Sequence, residues 1–317
     1  MWRKIVTHLS SCFSLSRLAQ RTPRPQTLLL FYNRMWNQRL ELQGIELPAG
    51  CVITEDRRQM HAADVVVFHI PSLRWLPRWR KRPGQLWVAW SQECEHNYPR
   101  LRDPAYMRHF DLTMTYRLNA DVSTPYLWYY IFGPNLVRAM CEPPKPKSQD
   151  KLAVLFISSR FNRSHRLEYA TELMRYIDVH SYGTFRRNRT LADDNWRPTK
   201  LKVLADYKFT LAFENAIGED YVTEKFFDPL AAGSVPVYLG APNVDLLAPG
   251  DHCYINTADF ANPKALGEYL LALHADAAAY EAYFAWKQRP LRPAFVKFLA
   301  GQQEHPFVRL CHKVRTR

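Results

Sequence analysis

A polar segment between two apolar runs carries side chains suited to binding an anion. The strand-like run 207–212 leads to Asn215, and a helix is predicted to begin near Thr223 with Glu224 and Lys225 in its first turn. The free N–H groups of a helix start carry a partial positive charge, and Lys225 adds a full one. The segment therefore predicts a site for an anionic ligand, best filled by a nucleotide with a sugar attached.

The same residues also have an ordinary structural explanation. Thr223 could serve only as an N-cap, and Lys225 could be a solvated member of a surface ion pair. Pro229 is unusual inside a helix, where proline costs about 3 kcal/mol or bends the axis, so we expect a helix kinked at Pro229. The presence of Asn215 and Tyr221 in the same loop favours a ligand site.

Composition limits the classes of protein to which the chain can belong. The chain has 317 residues, 47% hydrophobic and 14% aromatic, which is enough for a packed core and suggests two domains. Its net charge of +13 favours a polyanionic partner: nucleotide phosphate, acidic lipid or nucleic acid. The six cysteines form no C-x-x-C pair, so neither a zinc ribbon nor a disulfide framework is indicated, and a reduced cytoplasmic setting is expected.

Residues 1–24 form a basic tail without a clear signal peptide, and no apolar run in the chain reaches the ~18 residues of a transmembrane helix. Trp2, Ile5, Leu9 and Phe13 could share one face of a helix resting on an acidic membrane. A solvated tail, or a helix packed on the body of the protein, is the simpler interpretation.

The elements that must position these residues follow an alternating pattern. Strands are predicted at 27–32, 51–54, 64–70, 86–91 and 112–115, and then at 152–157, 179–182, 207–213, 235–239 and near Tyr254. Several are continuous apolar runs, which are typical of strands buried on both faces of a parallel sheet. Helices are predicted at 166–176, from Thr223, at 263–274 and at 276–286.

The pattern predicts an α/β fold with two Rossmann-like domains and a binding cleft between them. The proline-rich segment 141–150 is the expected linker. The expected units are an N-terminal domain, 25–143, a C-terminal domain, 150–290, and a closing segment, 291–317, that could pack back on the N-terminal domain. No G-x-G-x-x-G or P-loop motif occurs, so a redox dinucleotide cofactor or an ATPase is not expected.

Several blocks, in order and with similar spacing, resemble the α-1,3/4-fucosyltransferases of glycosyltransferase family 10. The main block is Phe213-Glu214-Asn215 followed by Tyr221-Val222-Thr223-Glu224-Lys225. Further similar blocks lie at 51–69, 84–97, 110–126 and 286–293, so the resemblance extends from about Cys51 to about Phe298. It implies a glycosyltransferase-B architecture and an inverting transfer of L-fucose from GDP-β-L-fucose to a glycan hydroxyl, O3 or O4 of an N-acetylglucosamine or glucose unit.

The resemblance also implies roles for individual residues. Donor-binding residues would lie mainly in the C-terminal domain, namely Arg166, Asn215, Tyr221, Glu224 and Lys225, with Tyr116 from the N-terminal domain. Arg163 is a rival to Arg166, and Tyr116 could instead be a core aromatic with a bonded hydroxyl. His69 and Asn97 would lie on the acceptor side.

Glu93 is predicted to be the general base. It follows the strand 86–91, where a strand end would open on the cleft, and a carboxylate there could accept the proton of the attacking hydroxyl. Glu95 is the obvious alternative, and Glu93 could also be a solvated loop carboxylate. Arg166 and Lys225 would balance the charge of the departing diphosphate. No His/Cys cluster or Asp-x-Asp motif is evident, so no cofactor and no essential divalent metal are expected.

The chain departs from the family pattern in several places. Pro71 stands where animal members carry an aromatic or basic residue, which leaves the choice between O3 and O4 open. The C-terminal cysteine pair is reduced to Cys311, and the membrane anchor of Golgi members has no counterpart. These differences suggest a bacterial-type cytoplasmic enzyme, peripheral at the inner membrane, that modifies glycolipid or polysaccharide acceptors.

Two rival hypotheses remain at this point. One is a related transferase that uses another GDP-sugar. The other is a non-catalytic protein that binds nucleic acid or an acidic membrane through the strip 73–82, in which cations alternate with two indoles. A loop in contact with solvent, membrane or acceptor is the simpler interpretation of the strip, and no nucleic-acid partner is expected.

Overall fold

The computed structural model describes residues 26–127, 129–148, 150–191 and 193–316. The basic tail, with its proposed amphipathic face of Trp2, Ile5, Leu9 and Phe13, lies outside the described residues. Six parallel strands form the N-terminal sheet, in the order β2-β1-β3-β4-β5-β6. They are β1 (Thr27–Phe31), β2 (Cys51–Thr54), β3 (Val65–His69), β4 (Leu86–Ser91), β5 (Leu112–Thr115) and β6 (Val122–Ser123).

Five parallel strands form the C-terminal sheet, in the order β11-β10-β9-β7-β8. They are β7 (Ala153–Leu155), β8 (Val179–Ser181), β9 (Phe209–Phe213), β10 (Val235–Leu239) and β11 (Ile255–Asn256). All residues of β9 are buried because it is the central strand and is covered on both faces. The segment that follows Phe213 therefore begins at the carboxyl edge of the sheet, where ligands of parallel sheets bind.

Helices cover the sheets and connect the domains. They are α1 (Pro104–Met107), α2 (Tyr129–Cys141), α3 (Arg166–Leu173), α4 (Arg197–Leu204), α5 (Glu224–Ala232), α6 (Pro263–Ala275), α7 (Ala277–Glu281), α8 (Pro293–Ala300) and α9 (Pro306–Arg315). The Thr223 side chain caps α5 by accepting from the Lys225 N–H, and Gly233 ends the helix with φ 73°. Pro229 lies inside α5. Within the described ranges, no helix has both the length and the apolar character needed to cross a bilayer.

Two helices, α2 and α9, connect the domains, because each packs on the core of the other domain. Leu136 and Met140 of α2 join the hydrophobic cluster of α5 in the C-terminal domain, although the expected domain boundary lies after α2. Helix α8 packs in the same cluster, whereas α9 returns to the N-terminal sheet. The Phe307 ring of α9 lies 4.6 Å from that of Phe31. The closing segment is therefore divided between the two cores.

Candidate active site

The loops that follow β4 and β9 meet across the cleft. The side-chain amide of Asn97 donates to Oδ1 of Asn215 at 2.8 Å. The Tyr221 hydroxyl donates to Oε2 of Glu93 at 3.4 Å. The structure thus brings together four of the residues singled out in the sequence, two from each domain.

A second set of contacts fixes the loop that carries Tyr221. Arg117 donates to the Glu219 carbonyl oxygen at 2.9 Å, and the Leu118 N–H donates to Oδ2 of Asp220 at 3.0 Å. Asp220 has φ 65°, a left-handed conformation that costs energy for a residue with a side chain. Asn243 holds Asp220 in this conformation by accepting from its N–H and donating to its carboxylate, both at 2.8 Å. The N-terminal domain therefore helps to shape the proposed donor loop.

The start of α5 holds a compact group of opposite charges. Nζ of Lys225 lies 3.0 Å from Oε1 of Glu224 and 3.5 Å from Oε2 of Glu214. Glu214 is fully buried, and it accepts from the N–H and the hydroxyl of Thr223 at 2.7 and 2.9 Å. Glu214 therefore fixes both the cap of α5 and the ammonium group of Lys225.

The electrostatics keep the Lys225–Glu224 pair charged. Burial opposes the charge of Lys225, but Glu224 and Glu214 outweigh it and raise the pKa of the ammonium. Burial likewise opposes ionisation of Glu224, but Lys225 and Lys200 outweigh it and lower its pKa to about 2. Lys225 thus keeps its positive charge at a helix start, the kind of position at which anions bind, beside the carboxylates of Glu224 and Glu214.

Arg166 is the first residue of α3, and its side chain is almost completely buried. Its guanidinium donates to the carbonyl oxygens of Phe213, Ser159 and Phe161 at 3.0 to 3.2 Å, while Nε finds no acceptor among the described residues. Burial lowers its pKa, and the nearby Glu214 opposes this effect. Arg166 thus lies beneath the loop, whereas Arg163 is exposed on it. Which of the two contacts phosphate stays a prediction.

Glu93 lies just beyond β4 in a turn closed by reciprocal bonds with Ser91. The Glu93 N–H donates to the Ser91 hydroxyl, which donates to the Glu93 carbonyl oxygen, both at 3.1 Å. Burial raises the pKa of the Glu93 carboxyl, while Lys225 and the Tyr221 hydroxyl act in the opposite direction. A carboxylate with a raised pKa is a better proton acceptor, as a general base requires.

Tyr116 occupies the place expected of a core aromatic. It is 1% exposed, its ring packs edge-to-face on Tyr221 at 5.0 Å, and its hydroxyl donates to Glu95. It therefore supports the Tyr221 ring from below, and it also borders a cavity of about 300 Å³ that Glu93 and Glu95 line. Whether Tyr116 contacts the donor stays a prediction. Glu95 is engaged by this bond, whereas Glu93 faces Tyr221 and Lys225.

His69 lies beneath a cavity at the carboxyl ends of β1 and β2. Its ring is 1% exposed between Trp36 and Trp90, and Nδ1 shares a hydrogen bond of 2.9 Å with the Ser72 hydroxyl. Burial lowers its pKa to about 4, so the imidazole is neutral at neutral pH. His69 therefore supports the wall of the cavity. The cavity encloses about 870 Å³, and its lining includes Asn33, Arg34, Trp36, Glu55, Asp56 and Arg57.

Two residues of the site were not singled out in the sequence. Glu214 had a recognisable signal, because a carboxylate directly after a buried strand needs partners. Trp36 had none, since its place depends on the fold of the loop after β1. Among the described residues, no three metal-ligating side chains form a group that could hold a metal ion.

Two parallel-sheet domains that bring a half-buried carboxylate, Glu93, towards a helix-start lysine, Lys225, across a cleft are typical of a class, the nucleotide-sugar transferases of the glycosyltransferase-B type. Comparison identifies the family. The protein-family model described as "Glycosyltransferase family 10 (fucosyltransferase) C-term" matches residues 146–317. A second family model, described as "Fucosyltransferase, N-terminal", matches residues 24–127. The chain belongs to glycosyltransferase family 10, and it is a fucosyltransferase.

Known proteins resemble the chain over most of its length. A 4-galactosyl-N-acetylglucosaminide 3-alpha-L-fucosyltransferase of Pan troglodytes is 34% identical over 275 residues, which cover 84% of this chain and 72% of that protein. A 3-galactosyl-N-acetylglucosaminide 4-alpha-L-fucosyltransferase of Homo sapiens is 33% identical over 286 residues, covering 86% and 75%.

The crystal structure of an alpha1,3-fucosyltransferase with GDP-fucose has the same fold, with a TM-score of 0.59 at 19% identity, covering 91% of this chain and 92% of that one. The predicted glycosyltransferase-B architecture is thus confirmed. The hypothesis of a non-catalytic protein that binds nucleic acid or an acidic membrane was wrong in its first part, because the chain is an enzyme.

Proposed function

We propose that the enzyme transfers L-fucose from GDP-β-L-fucose to O3 or O4 of an N-acetylglucosamine or glucose unit, with inversion to an α-fucoside. The observation that carries the proposal is the pairing across the cleft of Glu93 from the N-terminal domain with Tyr221 and Lys225 from the C-terminal domain. Similar proteins known as 3-alpha- and 4-alpha-L-fucosyltransferases support the linkage, and the structure of an alpha1,3-fucosyltransferase with GDP-fucose supports the donor.

In this reaction, charge develops in opposite directions on the two sides of the transferred sugar. The anomeric carbon becomes oxocarbenium-like as its bond to the phosphate oxygen lengthens. The diphosphate gains negative charge, which the fixed cation of Lys225, together with Arg166 or Arg163, stabilises. Glu93 accepts the proton of the acceptor hydroxyl as that oxygen bonds to carbon. Asn215, Tyr221 and Glu224 orient the donor in this proposal, which requires no cofactor and no divalent metal.

The donor and the stereochemistry can be tested together. The purified enzyme is incubated with GDP-fucose, GDP-mannose and UDP-galactose, each with N-acetyllactosamine and with its type 1 isomer, and GDP or UDP release is measured. We expect release and transfer only with GDP-fucose, an α-anomeric signal in the NMR spectrum of the product, and the same rate in EDTA. Transfer from GDP-mannose alone would favour the rival hypothesis of another GDP-sugar, and a β-fucoside would exclude a single inverting displacement.

The cavity at the ends of β1 and β2 is the proposed acceptor site. Trp36 has φ 49°, is 47% exposed and packs against His69 at 5.4 Å, so its indole forms a fixed apolar wall. Replacing Trp36 by alanine should raise the acceptor KM about tenfold, the equivalent of about 1.4 kcal/mol of aromatic contact. Trp196→Ala, which removes an exposed indole of the C-terminal domain, is the matched control. Equal KM values for the two variants would remove the cavity from the acceptor path.

The environment of Glu93 also predicts the pH dependence. Because the base must be ionised, kcat/KM should fall as pH falls through a pKa above the ordinary glutamate range. The hydrogen bond from Tyr221 lowers the pKa of Glu93, so Tyr221→Phe should move the acidic limb of the pH profile of kcat/KM to higher pH. Tyr126→Phe is the control, because Tyr126 forms a hydrogen bond with Tyr221 but interacts with Glu93 only electrostatically, without a hydrogen bond. A limb unchanged in Tyr221→Phe, or moved to lower pH, would contradict the assignment of Glu93 to that limb.

A further inference from the structure

The connection between β3 and β4 has a surface that the transfer reaction does not explain. In place of the usual crossover helix, this strip, 73–82, runs as irregular backbone against the face of the N-terminal sheet that carries Phe68 and Trp87. Leu73 and Leu76 point inward and pack in the cluster of Phe68 and Trp87. Apart from Pro77 and the half-buried Lys81, the other side chains of the strip are exposed, and they are four arginines and two indoles.

The strip is held in place at both ends. Arg100 donates to the carbonyl oxygens of Leu73 and Arg74 at 2.8 and 3.1 Å. At the other end, Lys81 bonds to Asp111, and Arg82 lies 3.4 Å from Asp64. Because these contacts fix the backbone, the outward side chains form a defined surface rather than a mobile loop.

The charges of this surface are largely uncompensated. The strip contains no acidic residue, and the acids nearby pair with its last two cations. Arg74, Arg78 and Arg80 are exposed, and no ion pair within the described ranges involves them. Three unpaired guanidinium groups on one short segment favour an extended anionic partner.

The indoles identify the kind of anionic partner. Trp75 is 71% exposed and Trp79 is 46% exposed, the latter stacked on His61 at 4.6 Å. Tryptophan prefers the boundary between water and lipid, where its ring enters the headgroup region. We propose that the strip 73–82 docks the enzyme on an anionic phospholipid membrane, with arginines at the headgroups and the two indoles inserted between them.

Docking would bring the membrane to the acceptor side of the cleft. The strip begins next to Ser72, which lines the acceptor cavity, and Arg100 bonds to the carbonyl oxygens of its first two residues. That loop also carries Tyr98, whose ring contacts Phe161 of the C-terminal domain at 5.5 Å. A glycan anchored in the same membrane would then meet the cavity without leaving the surface.

The experiment measures binding of the full chain to extruded vesicles. Vesicles of phosphatidylcholine alone are compared with vesicles that contain roughly 30% phosphatidylglycerol. At this anionic content, each Lys or Arg near the surface is expected to strengthen membrane binding. The variants are Arg74→Ser/Arg78→Ser/Arg80→Ser and a control with equal charge loss, Arg138→Ser/Arg175→Ser/Lys297→Ser, whose residues are exposed elsewhere. The tail 1–24 is present in every protein, so it does not account for a difference between variants.

We expect wild type to bind only the anionic vesicles, the strip variant to bind them roughly 100-fold more weakly, and the control to stay within about threefold of wild type. Binding should weaken with salt. Brominated lipid should quench wild-type fluorescence more than that of Trp75→Phe/Trp79→Phe. Transfer to a soluble acceptor should be unchanged in all variants, which shows that they are folded.

Three outcomes would overturn the proposal. One is equal loss of vesicle binding in the strip variant and the control, which would show that only net charge acts. Another is vesicle binding by the strip variant at the wild-type level. The third is strip-dependent binding to poly(U) RNA without binding to vesicles, which would assign the strip to nucleic acid. None of these results affects the proposed fucosyl transfer, which is measured separately with the soluble acceptor.

Discussion

Replacing Glu93 by glutamine should lower kcat about 10³-fold and leave the affinity for GDP-fucose within about twofold of wild type. The turn with Ser91 uses only the backbone of residue 93, so it is kept, and the amide oxygen can still accept from the Tyr221 hydroxyl. It cannot take the proton of the acceptor hydroxyl. The loss should therefore appear in turnover, measured as GDP release at saturating acceptor, while donor affinity is measured by calorimetry.

Glu95→Gln is the matched control for this prediction. Glu95 lies two residues further along the same loop, but its carboxylate accepts from the buried hydroxyl of Tyr116. Its replacement should lower kcat less than tenfold, through displacement of Tyr116. If Glu95→Gln lost the activity and Glu93→Gln kept it, Glu95 would be the base.

Most of the strands were predictable from sequence because they are short, largely apolar runs, whereas the two-residue strand β6 was not predicted. The predicted strands 51–54, 86–91, 112–115 and 235–239 have the observed bounds, since each is flanked by polar or turn residues. Helix α2 was not predicted because Gly133 and Pro134 are poor helix formers, and the packing of Leu136 and Met140 on the C-terminal domain outweighs that propensity. Helix α9 was missed although its buried residues, 307, 310, 311 and 314, follow a helical period.

The candidate site was predictable in its parts but not in its assembly. Sequence placed Asn215 and Tyr221 on one loop, Lys225 in the helix turn that follows it, and Glu93 on another loop, because both loops follow strands. The bond from Asn97 to Asn215 spans 118 residues and that from Tyr221 to Glu93 spans 128. Such contacts depend on how two domains dock, which local patterns do not encode.

Removal of the Lys225 ammonium should have the second large effect. Lys225→Met should lower kcat about 10²- to 10³-fold, the equivalent of about 3 to 4 kcal/mol, because no fixed cation at the start of α5 would then meet the charge of the departing diphosphate. GDP, which already carries that charge, should also bind more weakly. Both effects are measured in one set of experiments, by GDP release and by calorimetric titration with GDP.

Lys225→Met also removes the partner of two carboxylates, so catalysis must be separated from folding. Without the ammonium, the pKa of Glu214 should rise further, since burial already raises it and Lys225 is the main opposing influence. Protonation would then limit the loss of stability. Lys208→Met is the control, because Lys208 is a buried lysine of the same domain that donates to the His274 carbonyl oxygen at 3.0 Å. If both variants lose stability but only Lys225→Met loses turnover and GDP affinity, the ammonium acts on the diphosphate. Unchanged GDP affinity in Lys225→Met would instead limit Lys225 to holding Glu214 and the cap of α5 in place.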